Sequence, residues 1–173
     1  MDLHAEFIAR SRHYLAFEYP AKIRQSLDVL PPNALWQREN ESSNSIGNLL
    51  LHLEGNVRQW IISHVGGDAD RRVRSTEFAA TEGADAETLF AALRLTLDEA
   101  DSVIGALSLA DLAGRRLIQG RDVSVFDAVY HVVEHFSLHT GQIILLAKAH
   151  APGAIHFYED AGGLAVPRWR ERV

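Results

Sequence analysis

The chain has no cysteine and a single methionine among its 173 residues. The lack of thiols removes disulfides, thiolate metal ligands and a cysteine nucleophile together. Any thiol chemistry must then use a thiol brought in as substrate. No apolar run approaches the roughly 20 residues needed to cross a bilayer. The opening residues, Met1-Asp2-Leu3-His4-Ala5-Glu6, lack the basic-then-apolar order of a signal peptide, so a cytoplasmic location is expected. There is no positive surplus either. A formal net charge of −6 disfavours nucleic acid or an anionic membrane as partner. No internal repeat, low-complexity tract or linker breaks the chain, and its length favours one domain over residues 1–173.

What is present is an ordinary globular balance, 47% hydrophobic and 23% charged, with nine histidines. The apolar positions Phe7, Ile8, Leu15, Ile23, Leu27 and Leu30 predict a long first helix from about Leu3 to Leu30. Pro20 should kink it and Pro31-Pro32 should end it. Asn44 or Ser45 caps a second helix that runs to about Val65 and stops at Gly66-Gly67. The polar, arginine-rich stretch Asp68 to Gly83 has no period and reads as a loop, with Arg71, Arg72 and Arg74 as solvated side chains. Asp85 caps a third helix that reaches about Leu107. Arg115 to Val123, around Gly120, suggests a short hairpin. Ser124-Val-Phe-Asp127 is a capping box that opens a fourth helix to about His150, ended by Pro152-Gly153. Residues 151–173 read as a C-terminal surface tail. Four amphipathic helices of about 20 to 28 residues with little strand predict an all-α four-helix bundle.

The fourth helix carries His131, His135 and His139 in the run His131-Val-Val-Glu134-His135-Phe-Ser-Leu-His139-Thr-Gly-Gln142. A step of four residues turns a helix by only about 40° and raises it by about 6 Å, so the three imidazoles share one stripe. Two histidines at that spacing can grip one metal ion. His131 and His139 lie about 12 Å apart in rise and cannot both reach it. The second helix has its own polar stripe, Ser45, Asn48, His52 and Asn56, followed by Trp60. One histidine from it and two from the fourth helix would make a three-nitrogen site with positions left open for water or substrate. His52 lies thirteen residues before Val65. Antiparallel helices would set it opposite position 137, between His135 and His139; parallel helices would set it near position 132, between His131 and His135. Periodicity leaves that direction open.

Asn56 and Gln142 share the phase of the site and can orient substrate or water. Asp127 reads as the capping-box acid, Glu134 as solvent-facing, and His64 as a partner for the helix C-terminus. A di-iron carboxylate bundle needs Glu-x-x-His pairs, and a zincin needs His-Glu-x-x-His; the chain has neither.

The segments Asn44-Ser-Ile-Gly-Asn-Leu-Leu-Leu-His52-Leu-Glu-Gly-Asn-Val-Arg-Gln-Trp60 and His131 to Gln142 resemble the DinB/YfiT-like superfamily, from the first helix through the fourth but not in the tail. The resemblance implies an up-down-down-up bundle, often dimeric, with helices two and four antiparallel. It implies a nickel, zinc or similar divalent ion held by one histidine of helix two and a pair four apart just before Gly-Gln: here His52, His135 and His139. His131 then falls to a supporting role. The implied activities are metal-dependent hydrolysis, or transfer or isomerisation using a low-molecular-weight thiol on a small-molecule substrate. A non-catalytic metal or small-ligand binding protein is the alternative. The family name does not imply DNA binding.

Overall fold

The computed structural model describes residues 1–169. The first predicted helix forms as α1 (Leu3–His13) and α2 (Tyr19–Leu27), joined without a break by a π-helical turn over Tyr14–Glu18. Asp2 caps its start by accepting from the amides of His4 and Ala5. Pro20 falls in the first turn of α2, where its missing N–H leaves the carbonyl of Ala16 without its usual partner. The Arg94 guanidinium supplies the replacement, donating to Ala16 O at 2.6 Å. The wide turn and this outside donor accommodate the proline without ending the helix.

Ser45 caps the second helix in a capping box with Asn48, and the helix continues as α3 (Ile46–Val57) and a π-helical segment Arg58–Val65. Gly67, at φ 94°, lets the chain turn away. The stretch expected to be a loop contains a short helix, α4 (Arg74–Ala79). Six residues are too few to show a helical period, and α4 is held by tertiary contacts instead. The Asn48 amide donates to Glu77 O and Ala80 O at 2.8 and 2.7 Å. Arg38 donates to Phe78 O and Ala80 O at 2.7 and 2.8 Å.

Asp85 caps α5 (Ala86–Gly105), and a one-turn helix α6 (Leu109–Ala113) follows it. The suggested hairpin is present as antiparallel β1 (Arg115–Ile118) and β2 (Arg121–Ser124). Its two-residue turn places Gln119 and Gly120 at φ 52° and 76°, the twist that tight hairpins favour. The Ser124–Asp127 capping box opens α7 (Val125–His150), as its sequence predicts. The tail does more than run over the surface: Tyr158–Ala161 (β3) and Leu164–Pro167 (β4) form a second hairpin, and Trp169 is buried beneath the Lys22 ammonium.

Contacts between side chains give the helix directions. Arg12 pairs with Asp101 and Arg24 with Glu87, so α1–α2 runs antiparallel to α5. Arg58 meets Thr96 and Gly66 approaches Val103, so the second helix runs parallel to α5. His52 meets His135 while Trp60 meets His131, so the second helix is antiparallel to α7. Phe7 stacks on Phe126 and Tyr19 on Phe136, so α1–α2 is parallel to α7. Ile23, Leu53, Ile61, Leu93, Ile104, Val129, Val132, Phe136 and Ile143 are fully enclosed between these helices. Among the described residues, no helix is long and apolar enough to cross a membrane.

Replacing Arg94 by leucine should cost about 1–3 kcal/mol by urea denaturation, because it strips the donor from a carbonyl in the core wall. In a Pro20→Ala background the restored amide can serve that carbonyl, and the same replacement should cost less. Equal costs in the two backgrounds would refute this role for Arg94.

Candidate metal centre

His52 comes from the middle of α3, and His135 and His139 come from successive turns of α7. The antiparallel packing sets the three level with one another. His52 Nε2 lies 3.0 Å from His135 Nε2, and His139 Nε2 lies 3.2 Å from the same atom. Two nitrogens on a tetrahedral zinc, each at about 2.0–2.1 Å, stand roughly 3.3 Å apart. The three ligand atoms lie within 4.8 Å of one another, a group that can hold one metal ion.

The rings are held from behind. Gln142 Oε1 lies 2.7 Å from His139 Nδ1, which donates to it and leaves Nε2 as a lone pair. His52 Nδ1 donates to Glu77 Oε2 at 2.8 Å. The Arg72 Nη2 also donates to that oxygen at 2.9 Å, while its Nε bonds Glu77 Oε1 at 2.6 Å. The 3.1 Å contact between Arg72 Nη2 and His52 Nδ1 is therefore two donors sharing one acceptor. An accepting Nδ1 would instead face a carboxylate oxygen at 2.8 Å, lone pair against lone pair.

Glu77 and Arg72 are both withdrawn from water, with side chains 9% and 5% exposed. Burial pushes the Glu77 carboxyl up, but the hydrogen bonds from Arg72 and His52 outweigh it and hold the group below its ordinary range. The carboxylate thus stays charged where it meets His52. Gly55 makes room for it: a Cβ there would collide with Glu77 Oε1 and stand 3.0 Å from Arg72 Nε. Phe78 packs on the His52 ring at 4.6 Å between centroids.

The stripe of the second helix divides by task. Ser45 and Asn48 form the cap and anchor α4, His52 points to the centre, Asn56 is buried with its Oδ1 unpartnered, and Trp60 packs on His131 at 4.2 Å between ring centroids. His131 neighbours His135, with centroids 5.4 Å apart, and stands outside the three-nitrogen group. Asp127 serves the capping box and Glu134 is exposed. His64 Nδ1 donates to the carbonyl of Gln59 near the end of its helix. Of the loop arginines, Arg72 departs from expectation, being buried against Glu77 rather than solvated. Glu77 escaped the sequence reading altogether. Its one legible signal was an acid inside an arginine-rich stretch beside a buried polar stripe.

The chain is of the DinB-like class, as a likeness of fold and a family match together show. A crystal structure of a DinB-like protein from Bacillus cereus ATCC 10987 is similar over 86% of this chain and 95% of its own, with a TM-score of 0.61 at 19% identity, which is a likeness of fold. More narrowly, the chain belongs to the DUF1572 family, described as a protein of unknown function, whose profile matches residues 2–156; DUF1572 is a DinB-like family. No curated protein matches.

Burial, and then the neighbouring His139 and His52, push His135 down to about 3. His139 is also lowered, by burial against the opposing bond from Gln142, and His131 is lowered by burial. The unfolded chain, with histidines near 6.5, binds more protons below that pH than the folded one. Stability from these buried neutral rings is complete above about pH 6.5 and is lost as pH falls towards the folded values. Urea melts of the metal-free protein should show this decline, and His135→Gln should flatten it. A wild-type slope that the substitution leaves unchanged would refute the assignment. Gly55→Ala should push Glu77 off His52, lowering the thermal midpoint and any metal affinity together.

Proposed function

We propose that the chain binds one divalent ion, zinc, nickel or similar, through Nε2 of His52, His135 and His139. We further propose that it uses this ion on a small-molecule substrate, as a metal-dependent hydrolase or as a transferase dependent on a low-molecular-weight thiol. The observation that carries the reading is the convergence of three Nε2 atoms while two of the rings already commit their Nδ1–H outward, to Glu77 and Gln142. An ion so held supplies Lewis acidity, which polarises a carbonyl or activates a water or thiol. Three neutral imidazoles leave the charge of such an ion intact, and Arg72 offsets the negative charge that Glu77 brings. With no cysteine in the chain, a thiol must arrive as substrate.

A second reading, a metal or small-ligand protein without turnover, is favoured by one feature. The cavity of about 630 Å³ beside Arg58, Asp70, Arg72 and Glu77 lies behind the carboxylate, and none of the three histidines lines it.

The same proposal takes the four long helices as an up-down-down-up bundle, supported by the pairwise directions of α1–α2, the second helix, α5 and α7. It takes the protein as a cytoplasmic homodimer. Phe126, Tyr130, Leu138 and Leu145 support a partner, since they leave an apolar stripe of α7 in solvent, 43–69% exposed.

Metal analysis of the purified protein should find about one divalent ion per chain, and the His52→Ala, His135→Ala double variant should hold none. Equal content in the two would sink the site. Metal-loaded protein should turn over an ester or a thiol adduct; a broad screen without metal-dependent turnover would favour the binding protein. Light scattering should give the mass of two chains for wild type and of one for Leu138→Glu, and a monomeric wild type would remove the dimer.

A further inference from the structure

His135 needs opposite tautomers with and without a metal ion. Because His52 and His139 donate Nδ1–H to Glu77 and Gln142, both turn Nε2 lone pairs toward His135 Nε2, at 3.0 and 3.2 Å. Without an ion, only a proton on His135 Nε2 turns these contacts into hydrogen bonds, and Nδ1 is then an acceptor. With an ion, Nε2 must be bare and Nδ1 becomes a donor.

His135 Nδ1 is buried without a hydrogen-bond partner. Two more buried, unpartnered atoms stand on the facing helix: Asn56 Oδ1, an acceptor, and Trp60 Nε1, a donor. Asn56 and Trp60 are only 3% and 4% exposed. Residues 52, 56 and 60 follow one another by single turns on one face. His52 meets His135 and Trp60 meets His131, so Asn56 faces the turn of α7 between those two histidines. Leaving such atoms unpaired in the core is costly, and the cost is relieved if they serve one another.

We propose that Asn56 is a positioning residue of the centre: in the metal-bound state its Oδ1 accepts the Nδ1–H of His135, directly or through one water. In the metal-free state the Trp60 indole N–H serves His135 Nδ1 in the same way. The proton passes from Nε2 to Nδ1 of one ring, so none is gained or lost. One water with these three partners has enough polar contacts to be held in the core. The inference rests on the three-histidine reading above.

Long-range proton–nitrogen NMR on the histidine rings, without and with zinc, tests it together with zinc affinity by chelator competition. Wild type should show His135 protonated at Nε2 without zinc and at Nδ1 with it. Asn56→Leu should bind zinc about 10–100-fold more weakly. Asn56→Asp, close in size and a stronger acceptor, should bind more tightly than wild type, and it carries the test if Asn56→Leu does not fold. Unchanged affinity in the folded variants, or a His135 proton on Nδ1 in both states, overturns this inference alone, whereas a proton kept on Nε2 with zinc bound also sinks the three-histidine reading. A wild type that takes up no zinc overturns the three-histidine reading and this inference with it.

Discussion

The Glu77 carboxylate sits out of water between Arg72, which bonds both of its oxygens, and His52, which it turns toward α7. A buried charge is tolerable only when it is neutralised and its lone pairs are filled, and both conditions are met within a few ångströms. The demands of this one group reach outward through the fold. Gly55 must be glycine for the acid to approach α3. The short helix that carries Glu77 must be pinned, and Asn48 and Arg38 pin it by its own carbonyls. The capping box of the second helix therefore also fixes the ring of His52, one turn further on.

The polar stripe on the second helix is consequently not a single feature. Its first members close a helix terminus, its middle member points at two histidines across the interface, and its last members leave unpaired atoms in the core. Each is buried; Ser45, Asn48 and His52 escape the penalty of burial through hydrogen bonds, while Asn56 Oδ1 and Trp60 Nε1 await partners. A similar economy governs the first helix. Pro20 removes a donor, and a guanidinium from α5 fills the gap, which ties that helix to its neighbour at the height of the π turn.

Much of the fold is legible because helix signals are local. Asp85, Ser45 (one of the two caps offered by Asn44-Ser45) and the pair Ser124–Asp127 cap helices where the sequence says they should, and apolar periodicity finds the long segments between. The hairpin before α7 shows in Gly120. What failed was also local in origin. Six residues cannot display a period, so α4 was hidden, and with it the reason for the buried arginine. The π turn at Tyr14–Glu18 leaves no compositional mark beyond the proline that follows it. The second hairpin turns on Gly162-Gly163, and its strands of four residues are too short to show a pattern, so its pairing is visible only once they are side by side.

Sequence spacing alone marked out His52 and His135, with either His131 or His139, as residues able to share an ion, because a spacing of four on a helix is a statement about direction in space. Sequence alone also excluded cysteine chemistry and a membrane-spanning helix. Whether His131 or His139 joins His135 depended on which way two helices run past each other. That is a property of packing between residues some eighty positions apart. Tertiary structure decided it, by bringing Trp60 against His131 and leaving His52 level with the other two. Tertiary structure alone also brought Arg72 and Glu77 behind His52. A buried ion pair is stable only where the chain encloses it, and no pattern along the chain announces that enclosure in advance.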